Sequence, residues 1–499
     1  MRNQLGRRCF FWDTGSIFSR QTLILLFAAI IAFGGCLWGS FHFDDYSLFS
    51  GDLWRPLDIR PLTYLSFWMN NWLGGQNPVG YHAVNLLLHL LAIVLLWTAL
   101  GPLLPAPALP AARWIATAIF ALHPFQADPV NYVFARSTLL ATVLCLLSLV
   151  SWTRGRRWWA VACFAAALLA KEECVAFPAF LLLLHLATSR EPKDRWPIAA
   201  MFALALAAGL RVMLVAQHTA GSGAGAQAAV SWQSYLVTEG VVILRYLRML
   251  VLPWGFTVDP DIPISPAWLG TLAWLAVLAM AGAASLHFKR ARAGFWFIAG
   301  LILLLPSSSI FPATDLAADR RMYLPMIGFA ACAGLLLQRT RPVFLAAAFL
   351  LLASLSFIRT SVWRTEESLW TDAVEKAPGK VRPKIQLARA VEPARALAIL
   401  EDAKRLAPDD PRVVSEQGRV YMSMGRPDQA LAQFGRALAL SPRDADAFNN
   451  RGAALLALDQ KDAAREDFER ALALDPCEFN ARLNLQHLGI SKPAPAQCH

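Results

Sequence analysis

Residues 82–104, HAVNLLLHLLAIVLLWTALGPLL, contain no lysine, arginine, aspartate or glutamate. Coiled as a helix rising about 1.5 Å per residue, such a run matches the roughly 30 Å hydrocarbon core of a bilayer. Apolar runs, three of them holding a single arginine, flank it near 22–40, 111–123 with its flanks, 137–152, 157–170, 174–189 and 196–216. Others follow near 267–287, 294–311, 322–338 and 342–359. Together they predict an all-α, polytopic membrane helical bundle of about eleven spans. With 56% hydrophobic and 16% charged residues, the composition excludes an ordinary soluble globular protein.

The stretch 234–253 differs, because Glu239, Arg245 and Arg248 recur there at helical spacing. It reads as an amphipathic helix lying in the interface instead of crossing. Basic residues test this, since Lys and Arg gather in cytoplasmic loops. With 234–253 left out, the N-terminal arginines, Arg113, Arg154/Arg156/Arg157, Arg190/Lys193/Arg195, Lys289/Arg290/Arg292 and Arg339/Arg341 all fall on one side. Loops 41–81, 123–136, 171–173, 217–266 and 312–321 are then extracytoplasmic, as is the C-terminal domain. If 234–253 crosses, everything after it flips. The basic stretch from Met1 to Arg20 leads into a run without a small-residue cleavage site, so the first run is read as an uncleaved span, a removed signal peptide being the alternative.

Beyond residue 360 the apolar character ends. Residues 361–499 hold 20 Lys+Arg and 20 Asp+Glu, so of the chain's 46 and 35 the first 360 residues keep 26 and 15. The whole +11 excess therefore belongs to the membrane half, where it signals topology and not a nucleic-acid footprint. In the tail, Pro408, Pro442 and Pro476 recur every 34 residues, the period of tetratricopeptide repeats (TPR). Gly418, Tyr421, Ala430, Phe434, Ala437 and Pro442 occupy the consensus positions of one unit, and Gly452, Leu455, Ala464, Phe468, Ala471 and Pro476 those of the next. The expected organisation is a membrane domain over 1–360, a linker helix over 361–377, a TPR α-solenoid over 378–490 with about three repeats and a cap, and a disordered tail, 491–499. The cysteines Cys9, Cys36, Cys145, Cys163, Cys174, Cys332, Cys477 and Cys498 show neither CxxC spacing nor a cluster and read as small buried hydrophobes.

Charged side chains at span ends are costly to keep dry and mark candidate sites. On the expected outer side lie Asp44, Asp45, Asp128, Arg136, Lys171, Glu172, Asp319, Arg320 and Arg321. Carboxylates supply bases and cations supply phosphate ligands. This set suits sugar transfer from a polyprenyl-phosphate carrier to a hydroxyl: one carboxylate accepts the proton of the attacking hydroxyl, and Arg and Lys stabilise the departing phosphate. The glycine-rich run 221–225 lacks the lysine of a phosphate loop and reads as a connector. The turn at residues 257–261 is placed facing the lipid-donor cavity.

The ordered set then resembles a known family. Asp44-Asp45 follows the first span; Arg60-Pro61-Leu62-Thr63 precedes Tyr81-His82 and Asn85 through His89. His123-Pro124 leads to Asp128-Pro129-Val130 and Arg136, and Lys171-Glu172 and Asp319-Arg320 with Tyr323-Leu324-Pro325 complete the series. With the TPR tail, these pieces resemble the transmembrane and tetratricopeptide-repeat family of protein O-mannosyltransferases, within the GT-C glycosyltransferase superfamily. The resemblance implies an inverting enzyme moving a mannose-like hexose from a polyprenyl-phosphate-linked donor to Ser or Thr hydroxyls of exported proteins, the TPR domain docking the acceptor. It implies that Asp44 or Asp45 is the general base and that Asp128, with His123, holds the acceptor or second acidic position. Lys171, Arg320 and Arg136 would bind the donor phosphate, supported by Glu172 orienting Lys171 and by Arg60, His82, Asp319 and Tyr323. A divalent metal is left open. The chain departs from the family at Phe125-Gln126-Ala127-Asp128 and at Ala135-Arg136-Ser137-Thr138, which bears on sugar and acceptor identity. Alternatives are a glycolipid or surface polysaccharide as acceptor, or a non-catalytic membrane-anchored TPR scaffold. The expected location is a bacterial inner membrane, with site loops and TPR domain in the periplasm.

Overall fold

The computed structural model describes residues 19–49, 60–105, 109–188, 194–218, 230–286, 292–308, 315–493 and 495. The basic N-terminus, the 221–225 run, Arg190, Lys193, Lys289, Arg290 and most of the terminal segment lie outside these. The chain divides into two compact units, one reaching Phe256 and resuming over Ile262–Arg364, the other made of Thr257–Asp261 and Thr365–His499. All regular structure among the described residues is helical.

The membrane unit contains α1 (Arg20–Phe33), α2 (Pro61–Gly74), α3 (Pro78–Leu103), α4 (Leu109–Leu122), α5 (Arg136–Thr153), α6 (Arg157–Ala170), α7 (Phe177–Thr188) and α8 (Arg195–His218). It continues with α9 (Trp232–Val251), α10 (Ala267–Leu286), α11 (Ala293–Leu304), α12 (Met326–Leu337) and α13 (Pro342–Val362). Among the described residues, six helical stretches are long and apolar enough to span a bilayer, and four shorter apolar helices accompany them. The span at Val133–Thr153 is 78% buried and sits centrally, whereas that at Arg195–Val215 is 11% buried with a mean hydropathy of 2.3. An apolar helix left so exposed faces lipid, and Leu206 and Leu210 lie on its outer side. Without a hydrophobic drive between helices in lipid, small residues permit close packing. Gly328 of α12 rests directly on the Gly300 backbone of α11, leaving no room for a Cβ.

Helix α9 is not among the membrane-capable set. Tyr235, Glu239, Tyr246 and Met249 form its buried face, and two of its charged residues are engaged with protein. Glu239 pairs with Arg321 at 3.3 Å, and Arg245 with Asp319 at 3.2 Å.

The tail unit is a run of short helices: α14 (Glu366–Lys376), α15 (Val381–Ala390), α16 (Pro393–Leu406), α17 (Pro411–Ser423), α18 (Pro427–Leu440), α19 (Ala445–Ala457), α20 (Lys461–Leu474) and α21 (Phe479–His487). Proline opens α16, α17 and α18, where its missing N–H is harmless. The 34-residue pattern has a direct packing cause. A Cβ on Gly418 would lie 2.6 Å from the Phe434 ring, and one on Gly452 2.7 Å from Phe468, so each glycine seats the aromatic of its partner helix. Asp259 belongs to this unit: its carboxylate is held by Lys380 and, at 2.6 Å, by Arg382. The turn at 257–261 thus has its acid engaged by the tail, in place of the cavity-facing role expected. Cys36, Cys145, Cys163, Cys174 and Cys332 are unpaired and at least half-buried. Cys477 corrects the cysteine reading, being exposed and disulfide-bonded in a polar tail that has no deep apolar interior at that position.

Candidate active site

The polar residues gather where helices of the membrane unit end in short turns. After α1, the turn Phe43–Phe49 opens with Phe43 at φ 48°, in the left-handed region that a bulky residue adopts at a conformational cost. This bend sends the two neighbouring carboxylates in different directions. Asp45 is fully buried, its Oδ2 accepting the His42 backbone N–H at 2.9 Å and its Oδ1 the Phe134 N–H at 2.7 Å. Burial pushes its carboxyl up to about 7, against those two donors. Asp44 is exposed, and its Oδ2 accepts the Tyr132 hydroxyl at 2.9 Å.

Tyr132 lies just before the α5 span and is 5% exposed. Its ring is stacked by Trp363, with centroids 6.1 Å apart at 24°, and the Arg320 guanidinium lies 5.8 Å from the ring centre. Arg320 belongs to the turn Asp319–Met322. Its backbone N–H donates to Asp128 Oδ2 at 3.2 Å, and its guanidinium lies 3.8 Å from the same oxygen and 3.7 Å from Asp315. Burial raises the Asp128 carboxyl and the Arg320 charge opposes the rise. Asp44, Tyr132, Arg320 and Asp128 thus form one contiguous row.

Lys171 closes α6 in an extended conformation that turns its side chain inward. Its ammonium donates to Thr138 Oγ1 at 2.8 Å and pairs with Glu173 at 2.9 Å. Burial lowers the Lys171 pKa, Glu173 opposes that, and the positive charges of Arg60 and Arg320 lower it further. Lys171 and Arg320 therefore share one electrostatic environment. Glu172 does not orient Lys171; it makes a two-pronged pair with Arg60, with Nε to Oε2 at 2.9 Å. Burial would raise Glu172, but the Arg60 guanidinium holds it at about 2.

Other candidates are engaged by different partners. Arg136 is fully buried, with Nε on Asn85 Oδ1 at 3.0 Å, Nη1 on the Ser66 carbonyl at 3.2 Å and Nη2 on the Tyr81 carbonyl at 3.0 Å. Its guanidinium also covers the Phe67 ring at 4.5 Å. Spent in this way, it clamps α2, α3 and α5 together and is not aimed at a donor phosphate. Tyr323 is buried, bonded to His89 Nδ1 at 2.8 Å. His123 is stacked on Phe125 at 5.1 Å, and burial lowers its pKa to about 4. His82 is buried behind Gly39. Asp319 serves Arg245. Tyr132, Thr138, Glu173 and Trp363 join the site without having been singled out in the sequence. Among the described residues, no three His, Cys, Asp or Glu side chains are grouped to hold a metal ion.

Comparison with known proteins gives the cluster a context. Residues 415–477 match the tetratricopeptide repeat family model. The chain is homologous to proteins named protein O-mannosyl-transferases. It is 24% identical to F38B6.6 of Caenorhabditis elegans over 72% of this chain and 58% of that protein. It is also 24% identical to human TMTC3, over 78% of this chain and 52% of that protein. The chain thus spans little more than half the length of these relatives. Among solved structures, ArnT from Cupriavidus metallidurans bound to undecaprenyl phosphate is similar with a TM-score of 0.40 and 16% identity, over 86% of this chain and 81% of ArnT.

Proposed function

We propose that the membrane unit is an inverting, GT-C-type glycosyltransferase that moves a mannose-like sugar from a polyprenyl-phosphate donor to Ser or Thr hydroxyls of exported proteins, with Asp44 as the base. The names of the curated relatives support the transferase class. The observation that carries the reading is the placement of an exposed carboxylate, Asp44, in one row with Arg320 at the ends of apolar helices.

In this scheme the acceptor hydroxyl oxygen attacks the anomeric carbon from the face opposite the phosphate. The C–O bond to phosphate breaks with its electron pair passing to the phosphate oxygen, the hydroxyl proton moves to Asp44, and the carbon inverts. Asp44 then returns the proton to solvent. A leaving phosphate is already an anion and needs no general acid; Arg320 and Lys171 stabilise its growing charge. Asp45 is the less suitable base because both of its oxygens already accept backbone N–H groups inside the protein. Its role is to hold the turn. The apolar helices keep the polyprenyl chain in the bilayer, and the TPR tail docks the acceptor polypeptide. The disulfide at Cys477 favours an oxidising, extracytoplasmic compartment for the tail, such as the periplasm.

The test is sugar transfer by the purified full chain with a panel of polyprenyl-phosphate sugars and Ser/Thr peptides. Asp44→Asn is expected to lower turnover by about two to four powers of ten, the usual worth of a general base, with undecaprenyl phosphate still bound. Unchanged transfer by that variant refutes the scheme, and products found only on glycolipid would replace the protein acceptor.

A further inference from the structure

Between the carboxylate and the cation stands Tyr132, a residue that the transfer scheme does not use. We propose that Tyr132 is a positioning residue that couples the two halves of the site, its hydroxyl aiming Asp44 and its ring seating Arg320. The inference rests on the glycosyl-transfer reading for what Asp44 and Arg320 do, and on separate contacts for the coupling itself.

Four contacts fix the tyrosine. The hydroxyl donates to Asp44 Oδ2 at 2.9 Å. One face of the ring is covered by the Trp363 indole, centroids 6.1 Å apart and nearly parallel, and Phe43 meets the ring edge-on at 5.6 Å. The Arg320 guanidinium lies 5.8 Å from the ring centre, within the range where the ring quadrupole attracts a cation. Held by Trp363 and Phe43, the ring has little freedom to follow a wandering side chain, so Asp44 and Arg320 are referred to one rigid plane. Asp44 needs such a reference, because it is exposed and sits beside a residue in a strained conformation.

The phenol also keeps its proton. Burial raises its pKa, and the nearby charges of Asp44 and Asp45 raise it further, so it remains a hydrogen-bond donor throughout the working range. The other titratable and charged groups around the pair are Asp45 and His42 of the same turn, Asp128 and Arg320 across the row, and Arg359 from α13, which lies 5.9 Å from the Trp363 ring.

Two variants of the full chain separate the functions of the ring and the hydroxyl. Tyr132→Phe keeps the plane and deletes the hydroxyl. Turnover is expected to fall about ten- to hundredfold, the worth of a hydrogen bond to a charged group. Donor KM stays constant. Tyr132→Leu removes both parts, so it is expected in addition to raise donor KM several-fold. It is also expected to weaken binding of undecaprenyl phosphate alone to the same degree, while Tyr132→Phe binds that lipid like the parent. A purely structural tyrosine would instead change thermal stability, turnover and KM together in both variants. Turnover of Tyr132→Phe equal to the parent's would overturn the inference, as would unchanged lipid binding by Tyr132→Leu. The lipid-binding arm needs no sugar transfer. A parent protein that binds undecaprenyl phosphate but transfers nothing tells against the enzymatic reading, and the Leu variant still decides whether the ring seats Arg320.

Discussion

Glu173→Gln is the substitution whose outcome follows most directly from the geometry. Lys171 is 5% exposed, and its only carboxylate contact among the described residues is Glu173 at 2.9 Å. At that separation, opposite unit charges in an effective dielectric of about 20 attract by roughly 6 kcal/mol. The Glu173 side chain is 32% exposed, and solvent screening reduces this to about 2–3 kcal/mol. Burial already pulls the Lys171 pKa down, with Glu173 the principal force holding it up. Glutamine preserves the shape and removes the charge, so the pKa falls further and the ammonium discharges at a lower pH. The proposed phosphate site then loses a cation as pH rises. The assay is binding of undecaprenyl phosphate to full-length protein in nanodiscs across neutral to mildly alkaline pH. The parent is expected to bind with little pH dependence there, and Glu173→Gln to lose affinity steadily by about tenfold or more, as 1.4 kcal/mol corresponds to a factor of ten. Glu172→Gln acts chiefly on Arg60, and its weaker influence on Lys171 is expected to give a smaller pH dependence than Glu173→Gln. A flat profile for Glu173→Gln together with a steep one for Glu172→Gln would refute the pairing.

Arg136→Lys is expected to lower the thermal stability of the full chain by about 2–4 kcal/mol, because a single ammonium cannot reach Asn85, Ser66 and Tyr81 at once and buried acceptors are left unpaired. In molecules that remain folded, undecaprenyl phosphate affinity should match the parent, whereas a phosphate ligand would show the loss in binding first. Gly418→Ala places a methyl group 2.6 Å from the Phe434 ring and should destabilise the tail by about 1–3 kcal/mol. Faster amide exchange confined to α17 and α18 would register it.

Much of this architecture was legible because its causes are local. A charge-free run such as 82–104 admits few structures besides a spanning helix, and the 34-residue recurrence of Pro408, Pro442 and Pro476 reflects how one helix pair stacks on the next. The site was legible as a set of charged residue types at span ends, but their partners were not. Lys171, Glu172 and Glu173 are consecutive, and only the extended conformation at Lys171 followed by a tight turn decides which acid meets the lysine. Tyr132 was invisible for another reason: an aromatic beside a span ordinarily belongs to the interfacial belt, and its bond to Asp44 joins residues 88 apart in sequence. Arg136 looks like any phosphate ligand until its three acceptors, all on other helices, are known. Cys477 gave no sign of pairing, since its spacing to the other cysteines follows no motif.

The tie at Asp259 bears on how the protein is made. Its partners, Lys380 and Arg382, follow 121 and 123 residues later. A ribosome adding about 5–20 residues per second leaves that aspartate waiting several seconds for its mates. The stitch is therefore threaded late, after α10 to α13 have been synthesised. A gene fragment beginning at residue 365 would yield repeats that carry Lys380 and Arg382 but never meet the acid they were built around.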